Sequence, residues 1–334
     1  MDSKNKGRIQ YFDLAKGLLI LLLLVHHFGS ATRNAGLENQ YFGLVTSWQA
    51  VFTAFFMQCF FVVSGYCSGF DREPVVFLKK VLRQLIVPWI VFELLQSAFW
   101  AVYYNDFSLQ RLKSYLFTEP CTTLWFLNAL AFSKVVVYLL KRLLRDEAVL
   151  AVTFVFLILA IVVNQANIGP NYLCIRESFG SCFFVALGSY LKRNTVLYEK
   201  LMKFSPFIYL PVLAALFILK VPIPAFTAGM EVSVFQFPLF LVLSISGTFA
   251  FLRLCKYLNS NRFLEFFGRG TLTVYGLHYC PLFAFVVLFY KLFTPASLGG
   301  FIVFLLAVFV SEILTCAVLV KLFQIKYLRW ITGK

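Results

Sequence analysis

Apolar stretches, each bounded by charged or turn-forming residues, recur along the whole chain. An α-helix of roughly 20 apolar residues is long enough to cross the hydrocarbon core of a bilayer. The pattern therefore predicts about ten membrane-spanning helices, at 11–28, 47–69, 81–104, 122–140, 148–164, 173–191, 205–221, 232–254, 271–293 and 299–323. The sixth is the least apolar, because Arg176 and Glu177 lie inside it. We predict an all-α, polytopic membrane bundle that forms a single domain over residues 1–334.

The composition supports a membrane protein. Of the 334 residues, 60% are hydrophobic and only 13% are charged, which excludes an ordinary soluble protein and leaves little chain for a separate soluble domain. The net charge of +15 suggests nucleic-acid binding at first sight. Nucleic-acid binding, however, needs a basic face on a soluble surface. We therefore predict the lipid bilayer, and no nucleic acid, as a partner.

The basic residues divide unevenly between the two sides of the predicted bundle. An even number of spans places both termini on one side, and 22 of the 30 Lys and Arg residues fall on that side. Because basic loops stay in the cytoplasm, we predict cytoplasmic termini and a location in the inner (cytoplasmic) membrane. The start of the chain also has features of a cleaved signal peptide. The apolar region of a signal peptide, however, needs neither a preceding Asp13 and Lys16 nor a His26-His27 pair within the membrane depth.

The cysteines and the short motifs offer little evidence for a soluble enzyme. The 8 cysteines lack the C-x-x-C spacing of a zinc or redox site, and we predict no metal. Most of them lie in apolar stretches and are expected to be packing residues. Cys121 and Cys174 are both predicted near the outer face, where they could form a disulfide in an oxidising compartment.

The first predicted span contains the ionisable residues Asp13, Lys16, His26 and His27. Such residues are costly inside a bilayer and often mark function. On a helix, Lys16 and His27 share one face roughly 16 Å apart, and Asp13 can pair with Lys16. His26 points about 100° away from that face. Because a neutral imidazole can accept a proton, His27 is a candidate general base. Alternatively, Asp13 and Lys16 are interfacial anchors and the histidines end the helix.

These residues and four later motifs resemble the acyltransferase family 3 membrane proteins. The first motif is Tyr11-Phe12-Asp13-x-x-Lys16-Gly17 followed by His27. The later motifs follow in family order: F-F-V-V-S-G-Y at 60–66, the basic stretch from Lys79 to Pro88, L-W-F-L at 124–127 and T-V-Y-G-L-H at 273–278. The resemblance covers nearly the whole chain. Some family branches have a Glu where this chain has Leu130, and some carry an additional C-terminal soluble domain.

The resemblance implies transfer of an acyl group, usually acetyl from acetyl-coenzyme A, to a hydroxyl of a cell-surface saccharide or glycolipid. The phosphates of coenzyme A require cations. Lys16, Lys79 and Arg83 are the candidates, and Lys79 and Arg83 are one helical turn apart. The alternative for Lys79 and Arg83 is a purely topological role as basic loop residues. His27 is the predicted catalytic base, with a covalent acyl-histidine as a variant.

Trp125, Glu93 and His278 are further candidates for contact with the substrate or for holding residues that contact it. Asp13 is a candidate for the same roles. Trp125 could stack on a sugar, although packing is the alternative. Glu93 lies inside a predicted span and needs a polar partner. His278 lies seven residues into its predicted span, roughly 10 Å from the start, a depth that differs from that of His27. Substrate contact, orientation of another group and helix packing all remain open for His278.

Two functional alternatives remain open at this point. Intramembrane Lys, His and Glu residues are also typical of secondary transporters and flippases. The chain shows no clear internal repeat, which disfavours transport. The acyl donor could also carry another group, such as succinyl. Because the predicted outer loops are short, a lipid-linked or membrane-proximal saccharide is the preferred acceptor.

Overall fold

The computed structural model of the chain describes residues 9–37, 39–108, 110, 113–114, 117, 124–169, 171–226 and 230–333. The ordered elements within these ranges are helical, and no strand occurs among them. The first helices are α1 (Gln10–Asn34), α2 (Phe42–Thr53), α3 (Phe56–Tyr66), α4 (Pro74–Val81) and α5 (Val87–Tyr104). They are followed by α6 (Trp125–Leu143), α7 (Asp146–Gln165), α8 (Ile175–Arg193), α9 (Thr195–Ile218), α10 (Phe237–Leu258), α11 (Arg262–Arg269), α12 (Thr271–Leu277), α13 (Tyr279–Leu292) and α14 (Leu298–Leu322).

The helices confirm a multi-pass membrane bundle. Each predicted span coincides with one helix or with two consecutive helices. Within the described ranges, seven helical segments are long and apolar enough to cross a membrane, and the bent pair α12–α13 would make eight. The other two long helices, α6 and α8, each have 19 residues but are more polar. The total of about ten spans and the cytoplasmic position of the termini stay predictions.

The polar character of α8 is explained by its position inside the bundle. It packs against α3, α6 and α7. The Ser181 and Ser133 hydroxyls are hydrogen-bonded at 2.7 Å. The buried Glu177 carboxylate accepts two hydrogen bonds from the Asn171 amide, at 2.8 and 3.0 Å. Protein groups therefore satisfy these polar atoms in place of water, so a helix of low hydropathy is tolerated in the bundle.

Two helix crossings depend on glycines that bring backbones into contact. In the first, Gly17 of α1 lies against the Leu264 carbonyl, and Gly268 at the end of α11 lies against the Asp13 carbonyl. A Cβ atom at either glycine would overlap the facing backbone. The second crossing joins α3 to α8. Small residues permit such close approach in membrane proteins, where packing drives association between helices.

The α3–α8 crossing is reciprocal. A Cβ atom on Gly65 would overlap the Val185 carbonyl, and one on Gly188 would overlap the Val62 carbonyl. Each glycine therefore faces the backbone of the other helix. The predicted close approach at Gly65 is confirmed, and its partner is the backbone of α8.

Three breaks interrupt long helical segments. Between α2 and α3, the Ser244 hydroxyl donates a hydrogen bond of 2.9 Å to the Ala54 carbonyl. Between α4 and α5, the chain forms a π-helical turn over Leu82–Ile86. Between α12 and α13, the axis bends by 53° at His278. Such breaks leave room for cavities and redirect side chains into them.

Candidate active site

Two open cavities lie at different levels along α1. The first, here the histidine cavity, has a volume of about 470 Å³ and is bordered by His26 and His27. The second, here the basic cavity, has a volume of about 380 Å³ and is bordered by Lys16, Lys80, Lys134 and Arg269. Among the described residues, Tyr275 alone lines both cavities. The two cavities therefore approach each other at the Tyr275 side chain.

The histidine cavity combines hydrogen-bonding side chains with one aromatic wall. Trp125, which is 5% exposed, lines it and packs against Phe61 and Phe226 with ring centroids 6.2 and 6.1 Å away. Among the described residues, its lining has one residue of each charge, Arg33 and Glu231. Besides Tyr275, its neutral polar lining includes Ser30, Asn34, Thr46, Gln49 and Thr53. Such a wall suits a ligand with many hydroxyl groups and one flat face.

The histidine rings form a cluster. The centroid of the His27 ring lies 5.0 Å from that of His26 and 5.1 Å from that of His278. His278 is fully buried, and its Nδ1 atom lies 3.0 Å from both the Val274 and Tyr275 carbonyl oxygens. Since carbonyls only accept, Nδ1 carries the proton and Nε2 carries the lone pair. In the described part of the chain, this Nε2 atom has no hydrogen-bond partner.

Ser30 lies beside the His27 ring. The Ser30 hydroxyl donates a hydrogen bond of 2.9 Å to the His27 carbonyl. Its oxygen lies 3.4 Å from His27 Nδ1, and the direction of that contact depends on the tautomer of the ring. With the imidazole proton on Nδ1, Ser30 Oγ would accept it and Nε2 would be the basic nitrogen of His27. The ring is only partly buried and borders the cavity, so a bound hydroxyl group can reach it.

The prediction that His278 lies at a different depth from His27 is wrong. The contact between Gly17 and Gly268 joins α1 to α11 at a point that lies inside the first predicted span but before the predicted start of the ninth, residue 271. Ten residues separate Gly17 from His27, and ten separate Gly268 from His278. Helices of equal rise therefore bring the two histidines to one level.

His26 also lines the histidine cavity, although it points away from the face shared by Lys16 and His27. Helix α2 packs against α1 here. The Gln49 amide donates a hydrogen bond of 2.7 Å to the Val25 carbonyl. The Phe56 ring lies 5.2 Å from the His26 ring. Because these groups stand beside α1, the cavity wraps around two faces of that helix.

The basic cavity is strongly cationic. Lys16 forms the predicted ion pair with Asp13, at 3.5 Å. No acidic side chain among the described residues lines this cavity, and within the same ranges Lys80 and Lys134 form no ion pair. The rest of its wall includes apolar residues such as Phe60, Leu127 and Leu130. Uncompensated cations beside an apolar channel suit an anionic ligand with a long uncharged arm.

Lys79 and Arg83 do not line the basic cavity. Both side chains are exposed, and Lys79 borders a separate surface groove. Their expected spacing of one α-helical turn is altered because the π-helical turn begins at Leu82. The structure places the adjacent Lys80 in the cavity instead. A role for Lys79 and Arg83 in cofactor binding stays a prediction that the cavity geometry does not support.

Sequence reasoning missed Lys80, Lys134, Arg269 and Tyr275. Lys134 had a usable signal, because it lies inside a predicted span, as Lys16 does. Tyr275 belongs to one of the quoted motifs, but nothing in the motif distinguishes it from its neighbours. Lys80 and Arg269 lie among many basic residues at span ends, where the sequence pattern cannot separate ligand binding from topology.

The remaining predicted residues have mixed placements. Glu93 is fully buried on α5 and lines neither cavity. Cys174 is buried, whereas its predicted partner Cys121 lies outside the described residues. In the described ranges, no group of three or more His, Cys, Asp and Glu side chains could hold a metal ion.

The structure thus defines a multi-pass helical membrane protein in which a histidine cavity and a basic cavity approach each other at Tyr275. Residues 9–320 match the family model Acyl_transf_3, described as an acyltransferase domain. The chain therefore belongs to this acyltransferase family, which confirms the resemblance seen in its motifs. No curated protein and no solved structure gives a significant match.

Proposed function

We propose that the protein moves an acyl group, with acetyl as the expected case, from acyl-coenzyme A in the basic cavity to a saccharide hydroxyl in the histidine cavity. The observation that carries this proposal is the approach of two chemically different cavities at one residue, Tyr275. Transfer between a phosphate-bearing donor and a polyhydroxyl acceptor requires two such sites with a common point of reaction.

The donor fits the basic cavity by charge and shape. Lys16, Lys80, Lys134 and Arg269 offer cations to the phosphates of coenzyme A. The apolar wall formed by Phe60 and neighbouring residues suits the uncharged pantetheine arm. Asp13 holds Lys16 in place through their ion pair. If the termini are cytoplasmic, this cavity opens on the side where coenzyme A is available.

The acceptor fits the histidine cavity. Its volume of about 470 Å³ lies within the range of small-molecule sites. Neutral side chains such as Asn34 and Gln49 can hydrogen-bond sugar hydroxyls, and Trp125 can stack on the ring. A lipid-linked or membrane-proximal saccharide remains the preferred acceptor, because the cavity is embedded in a helical bundle with little surface for a polymer.

His27 is the proposed general base. Its Nε2 atom takes the proton of the acceptor hydroxyl, whose oxygen forms a bond to the thioester carbonyl carbon. The tetrahedral intermediate then re-forms the C=O bond and breaks the C–S bond. The departing thiolate takes the proton from His27. The His278 ring packs against this base with centroids 5.1 Å apart, and two carbonyls hold the tautomer of His278 itself.

The decisive experiment uses purified protein in liposomes, with acetyl-coenzyme A labelled in the acetyl group and a panel of saccharides and glycolipids. We expect label on an acceptor and stoichiometric release of free coenzyme A thiol. A parallel assay measures flux of the same solutes across the vesicle membrane. Solute flux without any cleavage of acetyl-coenzyme A would replace the acyltransferase proposal with a transporter or flippase. Preference for succinyl-coenzyme A would change only the acyl group.

Paired lysine variants test the position of the donor. Lys80→Ala is expected to raise the KM for acetyl-coenzyme A by about 10-fold, because a charge-assisted hydrogen bond to phosphate contributes about 1.5–3 kcal/mol. Lys79→Ala, one residue away but outside the cavity, should have a much smaller effect. Initial rates at varied donor concentration give both constants. A larger effect for Lys79 than for Lys80 would contradict the assignment of the donor to the basic cavity.

A further inference from the structure

We propose that Tyr275 is a catalytic residue whose phenolic O–H donates a hydrogen bond to the thioester carbonyl oxygen as negative charge develops on it. The inference rests on the proposed acyl transfer and adds a role for one residue in it. It follows from three observations: the position of Tyr275 between the cavities, the hydrogen bonding of its hydroxyl, and the rigidity of its surroundings.

Position comes first. An acyl group that leaves a donor in the basic cavity for an acceptor in the histidine cavity must pass the point where the cavities approach. Tyr275 lines both cavities at that point, yet is only 3% exposed. The reacting carbonyl would therefore meet this side chain in a largely desolvated setting, where a hydrogen bond to developing charge is stronger than in water.

The hydrogen bonding of the Tyr275 hydroxyl leaves its proton available. The Tyr275 oxygen accepts the backbone N–H of Phe126 at 3.2 Å. In the described ranges, no acceptor is present for the phenolic proton. A phenol has one proton to donate, and that proton is free here to bind an oxygen atom of a ligand. The buried hydroxyl therefore accepts one hydrogen bond from the protein and can donate another to a ligand.

The surroundings hold this donor in place. Phe126 lies in the first turn of α6, whose free N–H groups carry partial positive charge and polarise the phenol as a donor. The Phe126 and Tyr275 rings pack with centroids 5.4 Å apart. Behind Tyr275, the Gln96 amide donates a hydrogen bond of 2.8 Å to the Gly276 carbonyl. A donor fixed before the reaction needs no reorganisation when charge appears, which is the condition for strong transition-state stabilisation.

The step balances in atoms and electrons. The acceptor hydroxyl oxygen bonds to the carbonyl carbon as His27 takes its proton, and the C=O π pair moves onto the carbonyl oxygen. Tyr275 stabilises this oxyanion by its hydrogen bond and keeps its own proton. When the C=O bond re-forms, the C–S bond breaks, and the thiolate receives the proton from His27. Tyr275 ends the cycle unchanged.

The test replaces Tyr275 with Phe, which removes the hydroxyl and keeps the ring that separates the cavities. We expect kcat for acetyl transfer to fall by about 100-fold or more, as on removal of one oxyanion donor, with little change in the KM for acetyl-coenzyme A. The matched control is Tyr198→Phe. Tyr198 is also buried and loses a hydrogen bond, of 2.7 Å to Tyr11, but it lines neither cavity. The control should retain the wild-type kcat.

A second variant keeps the test decisive if Tyr275→Phe fails to fold. Fluorinated tyrosines of graded acidity at position 275 retain the hydroxyl and the ring, and kcat should change with the degree of fluorination, because a more acidic phenol is a stronger hydrogen-bond donor to the oxyanion; a kcat independent of fluorination would overturn the role of Tyr275. A wild-type kcat in folded Tyr275→Phe, or loss through a higher KM alone, would overturn the role of Tyr275 and leave the acyltransferase proposal standing. Failure of the wild-type protein to cleave acetyl-coenzyme A would instead remove the proposed function itself.

Discussion

Replacing His27 with Ala is expected to lower the rate of acyl transfer by about 100- to 10,000-fold, the usual contribution of a positioned general base. The structure gives the reason. Ser30 Oγ lies beside Nδ1 of His27 and can accept its proton, which leaves Nε2 to act as the base. The His27 ring also borders the histidine cavity, where the acceptor hydroxyl would bind. Single-turnover transfer of labelled acetyl by purified variant and wild type measures the effect.

His26→Ala is the matched control for that experiment. His26 borders the same cavity, adjoins His27 in the chain and packs against Phe56, so its loss also removes an imidazole from the site. Transfer by this variant should remain much closer to wild type. Added imidazole should restore part of the activity of His27→Ala, because the cavity is open. Equal losses in the two variants, with no rescue, would argue against His27 as the base.

Replacing Gly65 with Leu is expected to prevent correct packing of α3 on α8, at a cost of about 3 kcal/mol or more, the upper part of the range for overpacking. A side chain at this position meets the carbonyl of Val185, and backbone cannot move aside as a flexible side chain can. Because Gly188 makes the reciprocal contact, the two helices would have to separate along the whole crossing. Thermal inactivation and gel filtration in detergent measure the loss.

Gly43→Leu controls for the introduction of a large side chain into a helix. Gly43 lies in α2 with no heavy atom within 4 Å of an added Cβ, so this variant should retain its fold. Gly65→Leu should lose folded protein before any change in substrate preference is seen. A stable Gly65→Leu protein with altered acceptor choice would show instead that Gly65 shapes the site.

The sequence was sufficient for the helical membrane class, because apolar length alone determines which segments can enter a bilayer. The predicted stretch 299–323 closely matches α14, Leu298–Leu322. The sequence was also sufficient to identify His27 and Lys16 as candidate site residues, since ionisable residues are rare inside an apolar stretch. The same rule would have found Lys134. It failed for Lys80 beside Lys79, because adjacent residues in a basic segment differ only in the direction that each side chain takes.

The depth of His278 could not be read from its position in a span. That depth depends on the backbone contact between Gly17 and Gly268, which shifts α11 and α12 inward relative to the predicted start of the span. The shared role of Tyr275 could not be predicted either, because a cavity is a property of several helices at once. Contacts between distant segments decide both features, whereas patterns along one segment report only which faces are apolar.

The approach of the two cavities at Tyr275 also has an electrical consequence. If the two cavities open on opposite sides of the membrane, most of a transmembrane voltage would drop across the layer that contains Tyr275 and Phe126. A full charge that crossed this layer would gain or lose about 2.3 kcal/mol per 100 mV. The acetyl group crosses it as a neutral fragment, and the proton that His27 takes from the acceptor moves in the opposite direction, to the thiolate. The rate of transfer should therefore depend on voltage only through the movement of that one proton. Vesicles with an imposed potassium potential would measure this dependence and so locate the layer across which the voltage drops.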